Sequence, residues 1–162
     1  IIDALPKLSP EARNWITIEN DELGHGLEKS LELEKHVALV MDIHHHWIRD
    51  EEYIEATDDR VKRVIDSWRG QRPTMHYSYS RDEHLAPANL GDKIHTEMHD
   101  IKMLLERGCK KQKLRAHSDL LPNAKVNDWA LSFGEHFDIQ TEAKGKNMAA
   151  EQLYRQAQEN SV

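Results

Sequence analysis

The 162 residues are 38% hydrophobic and 31% charged, and 22 basic against 29 acidic side chains give a formal net charge of −7. This composition excludes a disordered chain, no apolar run reaches the length of a membrane span, and the acidic balance argues against a broad basic surface for nucleic acid. A lone cysteine, Cys109, cannot form an internal disulfide, which fits an intracellular, cytoplasmic location. The opening "IIDALP" is no signal peptide and lacks an initiating Met, so the chain reads as a fragment or a trimmed product.

The predicted elements alternate. "WITIE" (15–19) is a short β-rich run ending in an acid, and 22–36 follows as a helix with Leu23, Leu27 and Leu31 on one face. "VALVMDI" (37–43) is the continuous apolar run of a strand buried on both sides. Val61, Val64, Ile65 and Trp68 recur at helical spacing, with Asp58 as cap and Gly70 as stop. "PTMHYSYS" (73–80) reads as a strand. The long segment 81–112 carries an amphipathic helix with the stripe Ile94, Met98, Ile101 and Leu105. "KLRAHS" (113–118) is a weaker strand. Val126, Trp129, Ala130 and Phe133 mark a helix, "FDIQTEA" (137–143) a strand, and 146–158 a last helix. Strands alternating with helices predict a parallel sheet with right-handed crossovers, in one domain.

Chemically capable residues gather at the strand ends, where sites assemble in parallel α/β folds. Glu19 ends the first strand, and Asp42 with His44, His45 and His46 ends the second. His76 lies in the third, His117 closes the weak run, and Glu142 closes the last. Oxygen and imidazole donors without cysteine suit Zn, Mn or Fe, and a site of several ions is possible. Alternation in a strand would send His44 the same way as Asp42, whereas a turn after Asp42 would swing His45 back toward it. Spacing leaves both open. A histidine beside a ligand need not be a ligand itself.

"TIENDE", "DIHHHW", "MHYS", "RAHSD" and "EAKGK" occur in the order of similar motifs in UV-damage endonucleases, which the chain resembles over 17–146. The resemblance implies an α/β fold of TIM-barrel type, with residues 1–162 forming about half of a (β/α)8 barrel, its C-terminal half. It implies a metal-dependent DNA repair enzyme that excises DNA damage by hydrolysing the phosphodiester 5′ to a damaged nucleotide in double-stranded DNA. Glu19 becomes a carboxylate that bridges metals, and Asp42 and His45 become a pair on one ion. His76, His117 and Glu142 are the remaining ligands of this half. Glu19, Asp42, His45 and Glu142 are catalytic through metal-activated water. The cofactors are divalent, Mn2+ first and Zn2+ or Mg2+ as alternatives, up to three ions in a complete barrel. His44 and His46 are supporting residues, and Lys144 can face phosphate. One departure is Thr74, which stands where familiar members carry a lysine modified to a carbamate; a threonine cannot replace that bridging ligand.

Two rivals share these residues. A xylose-isomerase-like sugar isomerase or epimerase uses similar acids and histidines, and the net negative charge suits it. A non-catalytic metal-binding half-barrel would leave open sheet edges, through which it would meet itself or a separate N-terminal half. Arg115, in the basic stretch before His117, is placed to touch a phosphate. "HTEMH" (95–99) sets His95 and His99 at i, i+4 but lacks the glutamate position of a zinc protease, so the pair reads as surface histidines. Ser78, Ser80, Ser118 and Cys109 read as bystanders, and Trp47 as packing under its loop.

Overall fold

The computed structural model describes residues 3–160. Four strands, β1 (Thr17–Glu19), β2 (Ala38–Asp42), β3 (Thr74–Tyr77) and β4 (Asp138–Thr141), form one parallel sheet in the order β1-β2-β3-β4. The helices are α1 (Pro10–Asn14), α2 (Leu27–Leu31), α3 (Ile43–Asp50), α4 (Asp59–Ser67), α5 (Asp82–Leu85), α6 (Ile101–Glu106), α7 (Lys111–Leu114), α8 (Ala124–Leu131) and α9 (Asn147–Glu159). Parallel neighbours that follow one another in the chain, each joined through helices, give the topology of half a (β/α)8 barrel.

One face of the sheet builds the core. Leu39 and Met41 of β2 and Met75 and Tyr77 of β3 are buried together with Val61 and Val64 of α4. Each such side chain contributes about 1.5–3 kcal/mol by leaving water. The Asp58 side chain caps α4 by accepting the Arg60 N–H at 2.8 Å, and the helix ends as Arg69 and Gly70 turn to φ 53° and 85°. Ser67 pins α4 to the sheet: its hydroxyl accepts the Leu39 N–H at 3.0 Å and donates to the Val64 carbonyl at 2.6 Å.

Several sequence expectations change. The helix expected over 22–36 narrows to α2, because the Asp21 carboxylate gathers the N–H groups of Leu23, Gly24 and His25 into a loop and leaves Leu23 exposed. The Ile94–Leu105 stripe is not one helix. A 3₁₀ turn (Gly91–His95) and α6 share it, with Met98 exposed between them. "KLRAHS" is not a strand but the end of α7 and a loop, attached by a single antiparallel bridge between Ser80 and His117. His99 is not a surface residue; it is buried, and its Nε2 lies 3.0 Å from the Ile94 carbonyl. Ile43 leaves the strand and begins α3, so the three histidines sit on a helix, where successive residues point about 100° apart.

The register puts the acids and one histidine on the sheet's other face. Asp42 is level with His76, Glu19 with Val40, and His76 with Gln140. Side chains two apart along a strand share a face. Glu19, Asp42, His76 and Glu142, one residue past β4, therefore project to the same side. Thr17, Asp138 and Gln140 on that face are exposed, and β1 and β4 are the edges of the sheet.

Candidate metal centre

Glu19, Asp42, His76 and Glu142 each offer one ligand atom, and these atoms all lie within 4.8 Å of one another. His76 Nδ1 lies 3.0 Å from Glu19 Oε1 and 3.5 Å from Glu142 Oε1. Asp42 is wholly buried. Its Oδ1 accepts the His45 N–H at 2.7 Å and so caps α3, while its Oδ2 is buried without a hydrogen-bond partner. A buried carboxylate oxygen left unpaired is costly. Three carboxylates and one imidazole around that oxygen fit a divalent cation, which would satisfy it.

The electrostatics agree. Burial pushes the Asp42 carboxyl up to about 7, against the pull of the neighbouring His45, because its charged form has lost its water. The hydrogen bond to Glu19 raises the His76 imidazole above its ordinary value.

Asn20 holds Asp42 in place. Its amide nitrogen donates to the Asp42 carbonyl and its amide oxygen accepts the Asp42 N–H, both at 2.9 Å, so a side chain continues the β1–β2 ladder by one step. The Asn20 carbonyl lies 3.2 Å from His45 Nδ1. His45 stands at the rim of the cluster, with Nδ1 3.8 Å from both Asp42 Oδ2 and Glu19 Oε1.

His44 is a strut. The Ser80 hydroxyl donates to the Leu114 carbonyl at 2.7 Å, so His44 Nε2, 3.0 Å away, must donate to Ser80 Oγ; Nδ1 then accepts from Ser78 Oγ at 2.8 Å. Both ring nitrogens are occupied, and burial lowers the imidazole pKa well below the usual range, so the ring is neutral. His44 also stacks on the buried Trp47, with ring centroids 5.8 Å apart. Of the two histidines that spacing leaves open, His45 is the one beside the cluster. His46 faces other partners: its ring nitrogens lie 2.9 Å from Asp50 and 3.1 Å from Glu52.

His117 packs beside this group, its ring centroid 6.1 Å from His44 and 6.2 Å from His45, outside the four-residue cluster. Arg115 is half-exposed and donates to Glu22 Oε1 at 2.8 Å; Lys144 is exposed. The loop between α7 and α8 and the loop after β4 are tied together: Lys144 N–H donates to Ser118 O at 3.0 Å, and Gly145 N–H to Asp119 O at 2.7 Å. A Cβ on Gly145 would fall 2.4 Å from the Asp119 carbonyl oxygen, which is backbone and cannot swing aside. Gly145→Ala is therefore expected to lower stability by about 1–3 kcal/mol, measured by urea denaturation, and to shift the amide resonances of 117–120.

Asn20 and Glu22 escaped the sequence reading. The only signal for either was membership of the "TIENDE" stretch, and no periodicity distinguishes a side chain that mimics a strand.

A four-stranded parallel half-barrel with an acid-and-imidazole cluster, of a composition able to hold a metal ion, at the carboxyl ends of its strands defines an α/β protein of TIM-barrel type. A family model described as UV-endonuclease UvdE matches residues 1–161, and the chain belongs to that TIM-barrel family. No curated protein and no solved structure matches. Membership supports a DNA repair function of the UV-endonuclease kind and ties the chain to a DNA substrate. Among the described residues no helix is long and apolar enough to cross a membrane.

Proposed function

We propose that this chain is the C-terminal, metal-holding half of a (β/α)8 endonuclease that hydrolyses the phosphodiester 5′ to a damaged nucleotide. The observation that carries the reading is the unpaired Asp42 Oδ2 amid Glu19, His76 and Glu142, in a chain of the UV-endonuclease family. Glu19, Asp42, His76 and Glu142 would hold the ion, with His45 and His117 joining from the rim. A bound divalent ion, Mn2+ foremost, supplies Lewis acidity toward phosphate and a water of lowered pKa.

The chain's own residues set the conditions for that chemistry. Asp42 and His76 give up their protons before they can ligate. Arg115 and Lys144, cationic and accessible at the mouth, meet the phosphate groups of DNA whose lesion has already weakened base stacking. Among the described residues, the hydroxyls and thiol that the sequence sets near the cluster are otherwise engaged. Ser78 and Ser80 are occupied by His44, the Ser118 hydroxyl donates to the Leu120 carbonyl, and Cys109 is buried. Water is left as the attacking group.

The test is incision of an end-labelled duplex containing one abasic site or one UV photoproduct, with Mn2+. The expected result is a nick immediately 5′ to the lesion. It is abolished by chelator, absent from undamaged duplex, and weak at most, because a half-barrel supplies only part of the ligand set and Thr74 offers no bridging carbamate. A protein that binds no Mn2+, that nicks undamaged duplex as readily as damaged duplex, or that isomerises small aldoses instead, would overturn the proposal.

A further inference from the structure

Glu22 lies in the loop after β1, yet its side chain is only 6% exposed. Two loops distant in the chain converge on it. Its Oε2 is 3.6 Å from His45 Nε2 at the start of α3, and its Oε1 accepts from Arg115 Nη1 at 2.8 Å, in the loop before His117. The two nitrogens of His45 therefore face different surroundings. Nδ1 lies 3.2 Å from the Asn20 carbonyl and faces the rim of the cluster, 3.8 Å from Asp42 Oδ2 and Glu19 Oε1, whereas Nε2 faces the Glu22 carboxylate, beyond hydrogen-bond distance at 3.6 Å. An imidazole that serves a cation through one nitrogen is oriented by an acceptor on the other, and a carboxylate in that place makes the ring a better donor. Arg115 holds the second oxygen of Glu22 and fixes the carboxylate's own rotamer.

We infer that Glu22 is a positioning residue that orients His45 toward the metal cluster, with Arg115 anchoring Glu22 in turn. The inference rests on the metal reading of the cluster and not on the identity of the substrate. Glu22 touches neither the four clustered residues nor the reacting bond; it acts through His45.

The experiment is calorimetric titration of the metal-free protein with Mn2+, for wild type, Glu22→Ala, Glu22→Gln, Arg115→Gln, His45→Ala and the double variant Glu22→Ala/His45→Ala. Removal of an orienting partner is expected to weaken Mn2+ binding by about 10–100-fold in Glu22→Ala. Glu22→Gln, which keeps an acceptor oxygen without the charge, should recover much of that loss, and Arg115→Gln should show a smaller loss. In the His45→Ala background, Glu22→Ala should cost nothing further, because residues that act as one unit are not additive. Ring 15N resonances of His45 should move in Glu22→Ala while those of His84 and His136 stay put. A purely structural role would move neither the His45 signal alone nor the double-variant result, and thermal melting controls for misfolding. Unchanged Mn2+ affinity in Glu22→Ala, or an equal loss with and without His45, overturns the inference. Mn2+ binding that shows this coupling in a protein that isomerises small aldoses would instead overturn the nuclease reading. A wild type that binds no Mn2+ would sink both.

Discussion

Asp42→Asn is expected to reduce Mn2+ affinity by at least about 100-fold, more than the loss of an outer partner costs, because it removes the charge on the ligand oxygen itself. It should leave the fold intact. An asparagine keeps an oxygen for the His45 N–H, so the cap on α3 survives, and only the unpaired Oδ2 position changes from carboxylate to amide. The metal-free variant should be more stable than wild type above neutral pH. In the folded state burial raises the Asp42 pKa to about 7, whereas the unfolded value is near the ordinary aspartate value of 3.8. Between these values the folded state binds more protons than the unfolded one. Wild-type metal-free stability therefore falls as pH rises through that window and levels off above it, and the asparagine removes this dependence. Mn2+ affinity of the wild type runs the other way. It climbs with pH until Asp42 and His76 have lost their protons, then flattens. Chelator-treated protein melted over a pH series, paired with calorimetry, checks both slopes. A variant that retained wild-type metal binding would remove Asp42 from the site.

Asn20→Ala is expected to produce the largest loss of stability among these variants, about 2–4 kcal/mol, because it strands two buried backbone groups of Asp42 at once. For a chain of this size that corresponds to a melting midpoint lower by roughly 5–15 °C. Metal binding should suffer as well, since the Asp42 backbone and the His45 ring are both placed by Asn20. Asn20→Asp separates the two effects: it keeps an acceptor for the Asp42 N–H but faces the Asp42 carbonyl with a second acceptor and adds a charge beside the cluster. Differential scanning calorimetry of the metal-free proteins measures the first effect, and Mn2+ titration the second. A melting point for Asn20→Ala within 2 °C of wild type, a margin smaller than about 1 kcal/mol would produce, would show that the strand-like amide pairing contributes little.

The sequence by itself determined that strands and helices alternate, that the strands run parallel, and that Glu19, Asp42, His76 and Glu142 fall at strand ends. Apolar runs such as "VALVMDI" and the Val61–Trp68 stripe are local patterns, and local patterns survive without knowledge of neighbours. Side-chain alternation also says which residues within one strand share a face. Only the tertiary structure decided the register that brings Asp42 level with His76, since that depends on how helices of unequal length space the strands. It also decided the fate of the three histidines. Asp42 caps α3 and starts a helix where a strand was expected, so His44 turns to Ser78 and Ser80, His45 to the cluster, and His46 to Asp50 and Glu52. Asn20 and Glu22 act through partners more than twenty residues away, and nothing in their local spacing records that.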